Sequence, residues 1–171
     1  MLFNNTVLDI SQYQSIKKIG EGGFSKVYLI QDKTTSDLYA AKVAKILIDE
    51  EEEYDSENVH VLFREISLIS LLNHPSILRF IGYYSTNFKG DHCPTIISEF
   101  AVNGSLHDII DMEMSSLSPD DWNDTKKLIN IYGIAAGMSY LHFNNVIHRE
   151  LKPGNIIMDE YLHPKISDFG L

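Results

Sequence analysis

VIHRELKPGN, residues 146–155, gathers an imidazole, a guanidinium, a carboxylate, an ammonium and a carboxamide on one short stretch. Before it, Leu128, Ile131, Ala135, Met138 and Leu141 fall near one face of a helix that runs from Trp122 to the Asn144-Asn145 turn. Ser118-Pro119-Asp120-Asp121 reads as that helix's N-terminal cap, with proline at the first helical position and carboxylates against the positive end of the dipole. After it, NIIMDE and PKISDFGL read as short strands. The polar decade therefore sits on a loop between a helix and a small strand pair.

Working outward to the amino terminus, the pattern changes to strands. SIKKIG (15–20), KVYLIQD (26–32) and LYAAKVA (38–44) are short β-favouring runs, separated by a glycine-rich turn and by the polar KTTSD. Three consecutive antiparallel strands are the simplest arrangement. HVLFREISLISLLN (60–73) carries Leu62, Ile66, Ile69 and Leu72 at helical spacing and ends at Asn73 ahead of Pro75. ILRFIGYY (77–84) and TIISEF (95–100) supply two further strands.

A 171-residue chain that is 44% hydrophobic and 22% charged can bury a core, which excludes disordered and fibrous classes. The formal charge, 14 − 24 = −10, argues against a nucleic-acid or anionic-membrane surface. Much of that excess lies in DEEEEYDSE (49–57), the pattern of a solvated loop or helix start. A single cysteine, Cys93, allows no internal disulfide and fits a reducing compartment. The amino terminus lacks a signal-peptide pattern and no run approaches the roughly 20 apolar residues of a membrane span, so a cytoplasmic, or alternatively nuclear, location is expected.

Three further features carry chemistry. IGEGGFSKVYL (19–29) sets Gly20, Gly22 and Gly23 between two apolar strands, where the absence of Cβ atoms lets backbone amides approach a polyphosphate. A plain hairpin turn accounts for the loop equally well. A dinucleotide fold is disfavoured because strand, not helix, follows the glycines. Lys42 closes an apolar strand, either as a snorkelling lysine or as an ammonium facing an anion. Glu65 is either an exposed helix position or the partner of Lys42.

Taken in order, the glycine-rich loop, the lysine of YAAK, the glutamate of FREI, the HREL-KPGN loop and Asp168-Phe169-Gly170 resemble a eukaryotic protein kinase domain from about Tyr13 to Leu171. LKPGN is similar to the serine/threonine pattern, and LNHPSILRFIGYY, SEFAVNGSL and GMSYLH to the tyrosine-kinase-like group. The resemblance implies an α+β fold: residues 1–12 as an extension, 13–100 as a lobe with a five-stranded antiparallel sheet and one regulatory helix, and 101–171 as the hinge and the start of a helical lobe. It implies ATP and Mg2+ as cofactors, a protein substrate or partner, and no nucleic acid or membrane.

Residue by residue, the resemblance places Ile19, Gly20, Glu21, Gly22, Gly23, Phe24 and Ser25 over the ATP phosphates, with Lys42 on the phosphates and Glu65 fixing Lys42. Val27, Ala40 and Ile157 sandwich the adenine. Backbone groups near Glu99 and Ala101 bind its edge, and Ser98 leaves room behind it. Asn155 and Asp168 hold Mg2+, Lys152 neutralises the transferring phosphoryl group, and His148 is structural, near Phe169.

Three departures from the pattern bear on activity. Glu150 stands where the family has an aspartate, one methylene shorter, that orients the substrate hydroxyl. Ser25 replaces the third glycine of the loop, a mild change. The chain ends one residue past Asp168-Phe169-Gly170, without the later helices that would cover the apolar face of the helix from Trp122. Two readings stay open: a protein kinase that phosphorylates serine and threonine, and a pseudokinase or kinase fragment that binds nucleotide or a partner. A metabolic small-molecule kinase is disfavoured by LKPGN.

Overall fold

The computed structural model describes residues 10–23, 25–45 and 66–168. They fall into two compact units, one made of the described residues through Leu72 together with Phe80–Phe100, the other of Asn73–Arg79 and the residues from Ala101 onward.

The first unit is a five-stranded antiparallel sheet: β1 (Tyr13–Glu21), β2 (Ser25–Asp32), β3 (Leu38–Ala44), β4 (Phe80–Tyr84) and β5 (Thr95–Glu99), in the spatial order β1-β2-β3-β5-β4. The expected strands are present, and a 3-10 turn, Ile10–Gln12, precedes β1. The β2–β3 turn is built by Asp32, whose carboxylate accepts hydrogen bonds from the amides of Thr34 at 2.7 Å and Thr35 at 3.1 Å. Such side-chain capture of the backbone is why aspartate favours turns. Those two bonds pull the buried Asp32 carboxyl below its usual range, and Gln12 adds a third at 2.7 Å.

Strand alternation gives the sheet two apolar faces. On one, Tyr13, Ile30, Ala41 and Ile97 form a buried cluster with Tyr28, Tyr39, Ile81 and Phe88 around it. On the other, Tyr83 and Ile96 pack against the fully buried Ile66, with Ile69 and Phe80 alongside. Residues 66–69 are helical, and the expected continuation to Asn73 is corrected. The chain tightens after Ile69 into i→i−3 bonds from Leu71 to Leu68 and from Leu72 to Ile69, both 3.2 Å, while the Ser70 hydroxyl donates back to the Ser67 carbonyl.

A second correction concerns 77–84, where only 80–84 joins the sheet. The backbone of 76–78 is spent in the second unit, with Leu78 N–H donating to the Ile166 carbonyl at 2.9 Å and Ile166 N–H to the Ser76 carbonyl at 2.8 Å. A pattern of alternating apolar residues cannot tell which strand will claim a backbone.

The second unit holds α1 (Leu106–Met114), α2 (Asp124–Phe143) and a two-stranded sheet of β6 (Ile156–Met158) and β7 (Pro164–Ile166). No expected element corresponded to α1. Its signature was nevertheless present in Ser105-Leu-His-Asp108, a capping box in which the Ser105 hydroxyl accepts from the Asp108 amide and Asp108 accepts from the Ser105 amide. The expected cap of α2 at Ser118 is also corrected. Residues 118–122 turn instead, closed by Trp122 N–H donating to the Pro119 carbonyl at 2.9 Å, and Asn123 caps the helix by accepting from the Lys126 amide. Trp122 is buried because its indole N–H reaches Glu113 at the end of α1, and Glu113 also pairs with Lys127. That junction, not the proline, decides where α2 starts.

The expected apolar face of α2 is buried only in part. Of its members Leu141 is fully buried and Met138 half-buried, whereas Leu128 is 66% and Ile131 65% exposed, as expected of a face without the later helices. Asn130 and Gly137, which hydrophobicity does not single out, are buried as well. The inward face is chosen by fit: a Cβ on Gly137 would lie 2.7 Å from Ile166 Cδ1 and 3.2 Å from the Ser76 carbonyl oxygen, and one on Gly133 would lie 2.8 Å from Pro164 Cγ. Small residues let α2 approach β7 and the 76 backbone more closely than leucines would. His74 stacks on Tyr140, whose hydroxyl accepts from the Asn73 amide, fastening the 73–76 segment to the same helix. Gly137→Val should therefore force overpacking costing about 2–3 kcal/mol, lowering the melting temperature by roughly 5–10 °C in a thermal unfolding measurement. An unchanged melting temperature would mean that the α2 to β7 approach is looser than described. Among the described residues no helix is long and apolar enough to cross a membrane.

Candidate functional site

The first unit contributes the glycine-rich turn and one face of the sheet. β1 and β2 pair from Tyr13↔Asp32 to Glu21↔Lys26, with irregularities between Ser15 and Lys17 and between Lys18 and Gly20. Gly22 N–H donates to the Ser25 carbonyl at 2.9 Å and closes the turn. Among the described residues a Cβ at Gly22 or Gly23 would meet nothing within 4 Å, and neither residue has a positive φ. That open space among the described residues would admit close approach of a backbone-cradled group such as a phosphate chain. Gly20 is different, since its Cβ would touch Val27 at 3.6 Å. Ile19 is exposed beside it.

Directly opposed residues of antiparallel strands share a face. Val27 opposes Lys42 and Leu29 opposes Ala40 across β2 and β3, while Ala40 opposes Ser98 and Lys42 opposes Ile96 across β3 and β5. Val27, Ala40, Lys42 and Ser98 therefore lie on one face, the one on which Ile96 packs against Ile66. The sheet register thus brings together four residues that the sequence scatters. β5 ends at Glu99, which opposes Tyr39. Ala101 is buried in the second unit. Glu65 and Phe24 lie outside the described residues.

The second unit contributes the polar loop. After α2 the chain turns at Asn145 (φ 59°) and runs through the buried Val146 and His148 to Arg149, whose φ of 66° puts a large side chain in the left-handed region. That conformation is costly for a residue of this kind, and such strain gathers at functional loops. Pro153–Asn155 then forms a 3-10 turn. Glu150, Lys152 and Asn155 converge: Lys152 Nζ donates to Glu150 Oε1 at 2.6 Å, and Asn155 Nδ2 donates to the Glu150 carbonyl at 2.9 Å and lies 3.5 Å from Glu150 Oε2. The Lys152 hydrogen bond and charge, followed by the Asn155 contact, hold the Glu150 carboxyl below its usual range. It is therefore ionised at neutral pH and can act only as a hydrogen-bond acceptor.

Asn155 is buried, and its carbonyl accepts from both the amide and the hydroxyl of Ser167, at 2.9 and 3.0 Å. Ser167 was not among the expected site residues, although its position directly before Asp168 hinted at it. By tying 167 to 155 it holds the segment on which Asp168 follows with a φ of 53°. Ile157, in β6, opposes Lys165 and bridges to Ser105. Asn155 and Asp168 carry hard oxygens of the kind that could hold Mg2+. Among the described residues no cluster of three or more His, Cys, Asp or Glu side chains forms a separate metal site.

Comparison with known proteins places the chain in a family. A family model described as protein kinase domain matches residues 13–171. The chain is 32% identical over 170 residues, 96% of its length, to the serine/threonine-protein kinase polo of Drosophila melanogaster, of which this covers 27%. It is 31% identical over 164 residues to an Aurora kinase of Saccharomyces cerevisiae, covering 95% of this chain and 41% of that one. It is 32% identical over 172 residues to calcium-dependent protein kinase 4 of Plasmodium falciparum, covering 98% and 30%. The chain thus spans between a quarter and somewhat over two fifths of these relatives.

Proposed function

The chain belongs to the protein kinase family, and from that premise we propose that it binds Mg-ATP and that the protein transfers the γ-phosphoryl group of ATP to serine or threonine hydroxyls of proteins. The observation that carries this reading is the convergence of Glu150, Lys152 and Asn155 on one strained loop, with Lys152 2.6 Å from the Glu150 carboxylate. Phosphoryl transfer asks the protein mainly for position and charge. Amides of the glycine-rich turn and the Lys42 ammonium hold the phosphates. Lys152 offsets negative charge on the group in transit, and the ionised Glu150 accepts the hydrogen bond of the incoming hydroxyl and aligns it. Asn155 and Asp168 hold Mg2+, which when bound neutralises phosphate charge. The serine/threonine preference rests on LKPGN and on the name of the Drosophila relative.

A second reading, a pseudokinase or fragment that binds nucleotide or a partner without turnover, is favoured by one observation. The Glu150 carboxylate, carried on an extra methylene, is drawn to Lys152 and Asn155 within its own loop. The kinase reading and the nucleotide-binding form of the second require nucleotide binding, whereas a module that binds only a partner does not. Titrating the chain with Mg-ATP at about 100 times its dissociation constant should raise the melting temperature by roughly 5–10 °C. No shift at millimolar Mg-ATP would sink the kinase reading and leave a module that binds only a partner.

A further inference from the structure

We propose that Lys45 is a positioning residue that clasps the glycine-rich turn and fixes the Gly22–Gly23 peptide for phosphate binding, an inference that rests on the nucleotide reading above. Lys45 lies just past the end of β3, distant from the turn in sequence. Its Nζ donates to the Gly22 carbonyl at 2.7 Å and pairs with Glu21 Oε1 at 3.0 Å. The other oxygen of Glu21, Oε2, takes Lys18 Nζ at 2.6 Å. Bracketed by two ammoniums, Lys18 foremost, the Glu21 carboxyl falls to about 2 and stays charged at any working pH.

The consequence follows from peptide geometry. In a planar trans peptide the carbonyl of one residue and the N–H of the next point in opposite directions. An ammonium seated on the Gly22 carbonyl therefore turns the Gly23 N–H away from Lys45. The Gly22 N–H is already committed to the Ser25 carbonyl, so Gly23 N–H is the amide whose direction the clasp governs. Two glycines with no described neighbour for a Cβ within 4 Å gain no packing from the described side chains to stop that peptide from flipping. The clasp supplies the missing constraint from a neighbouring strand. Its role differs from that of Lys42, whose ammonium is assigned to the phosphates themselves.

The test is equilibrium binding of Mg-ATP and of adenosine, which lacks phosphates, to the wild-type chain and to Lys45→Met and Lys45→Arg, with melting temperatures alongside. Loss of one partly exposed, charge-assisted contact should weaken Mg-ATP about 3- to 10-fold. Adenosine affinity and melting temperature should stay unchanged, and Lys45→Arg, which keeps the donor and the charge, should recover most of the Mg-ATP affinity. Glu21→Gln combined with Lys45→Met should be little worse than Lys45→Met alone, because the two act through one contact. Equal weakening of adenosine and Mg-ATP would overturn the proposal in favour of a purely structural role, and so would unchanged Mg-ATP affinity in Lys45→Met. A wild-type chain that binds neither ligand would instead overturn the nucleotide reading on which the clasp depends.

Discussion

Lys42→Met is expected to lower kcat/KM for phosphoryl transfer on the order of 10²- to 10³-fold, the usual cost of removing one preorganised charged donor. Methionine keeps most of the length and apolar body of the lysine stem, so packing beside Val27 and Ile96, its register partners, is preserved while the ammonium is removed. The loss should appear with ATP in transfer and in Mg-ATP binding, and not with adenosine. The readout is radiolabelled phosphate transfer to a serine- and threonine-containing acceptor protein, paired with a melting temperature that stays near the wild-type value. Transfer at the wild-type rate would remove Lys42 from the phosphates, and with it the role assigned to this face of the sheet.

Glu150→Asp is expected to raise turnover, by up to about 10²-fold if the extra methylene displaces the carboxylate by about an ångström from the hydroxyl it must align. The shorter side chain would also loosen the 2.6 Å bond to Lys152 that now turns the glutamate back into its own loop. Because Lys152 and Asn155 hold the Glu150 carboxyl below its usual range, it is deprotonated throughout the neutral region. The gain should therefore be independent of pH between about 6 and 8, given the ordinary carboxylate range. Glu150→Ala is the companion measurement. If Asp raises turnover and Ala abolishes it, the carboxylate aligns the acceptor. If neither substitution changes it, Glu150 has no part in transfer and the nucleotide-binding module becomes the better account.

How much of this was legible in the sequence depended on the range over which each signal acts. The β2–β3 turn was readable because Asp32 builds it from residues two and three positions away. β2 was readable because its run of strand-forming residues is bounded on one side by the glycine-rich turn and on the other by KTTSD. The α1 capping box is equally local, but the nine-residue helix behind it is too short to display a long apolar period. The start of α2 could not be read from Ser118 and Pro119, because a buried Trp122 hydrogen-bonded to Glu113 outweighs a favourable cap. The inward face of α2 could not be read from hydrophobicity, because Gly133 and Gly137 were selected for the close approach of Pro164, Ser76 and Ile166, residues remote in the chain.

The candidate site divides along the same line. Order and spacing of chemical groups were written in the chain itself: the glycine-rich turn, Lys42, the loop of Glu150, Lys152 and Asn155, and Asp168. Local hydrogen bonding and chirality act over a few residues, so these needed no tertiary knowledge. Tertiary structure alone decided that Val27, Ala40, Lys42 and Ser98 share one face, that Ser167 holds Asn155, and that Lys45 reaches back to Gly22 and Glu21. Strand register and packing join residues far apart in sequence, and no local pattern encodes which of them will meet.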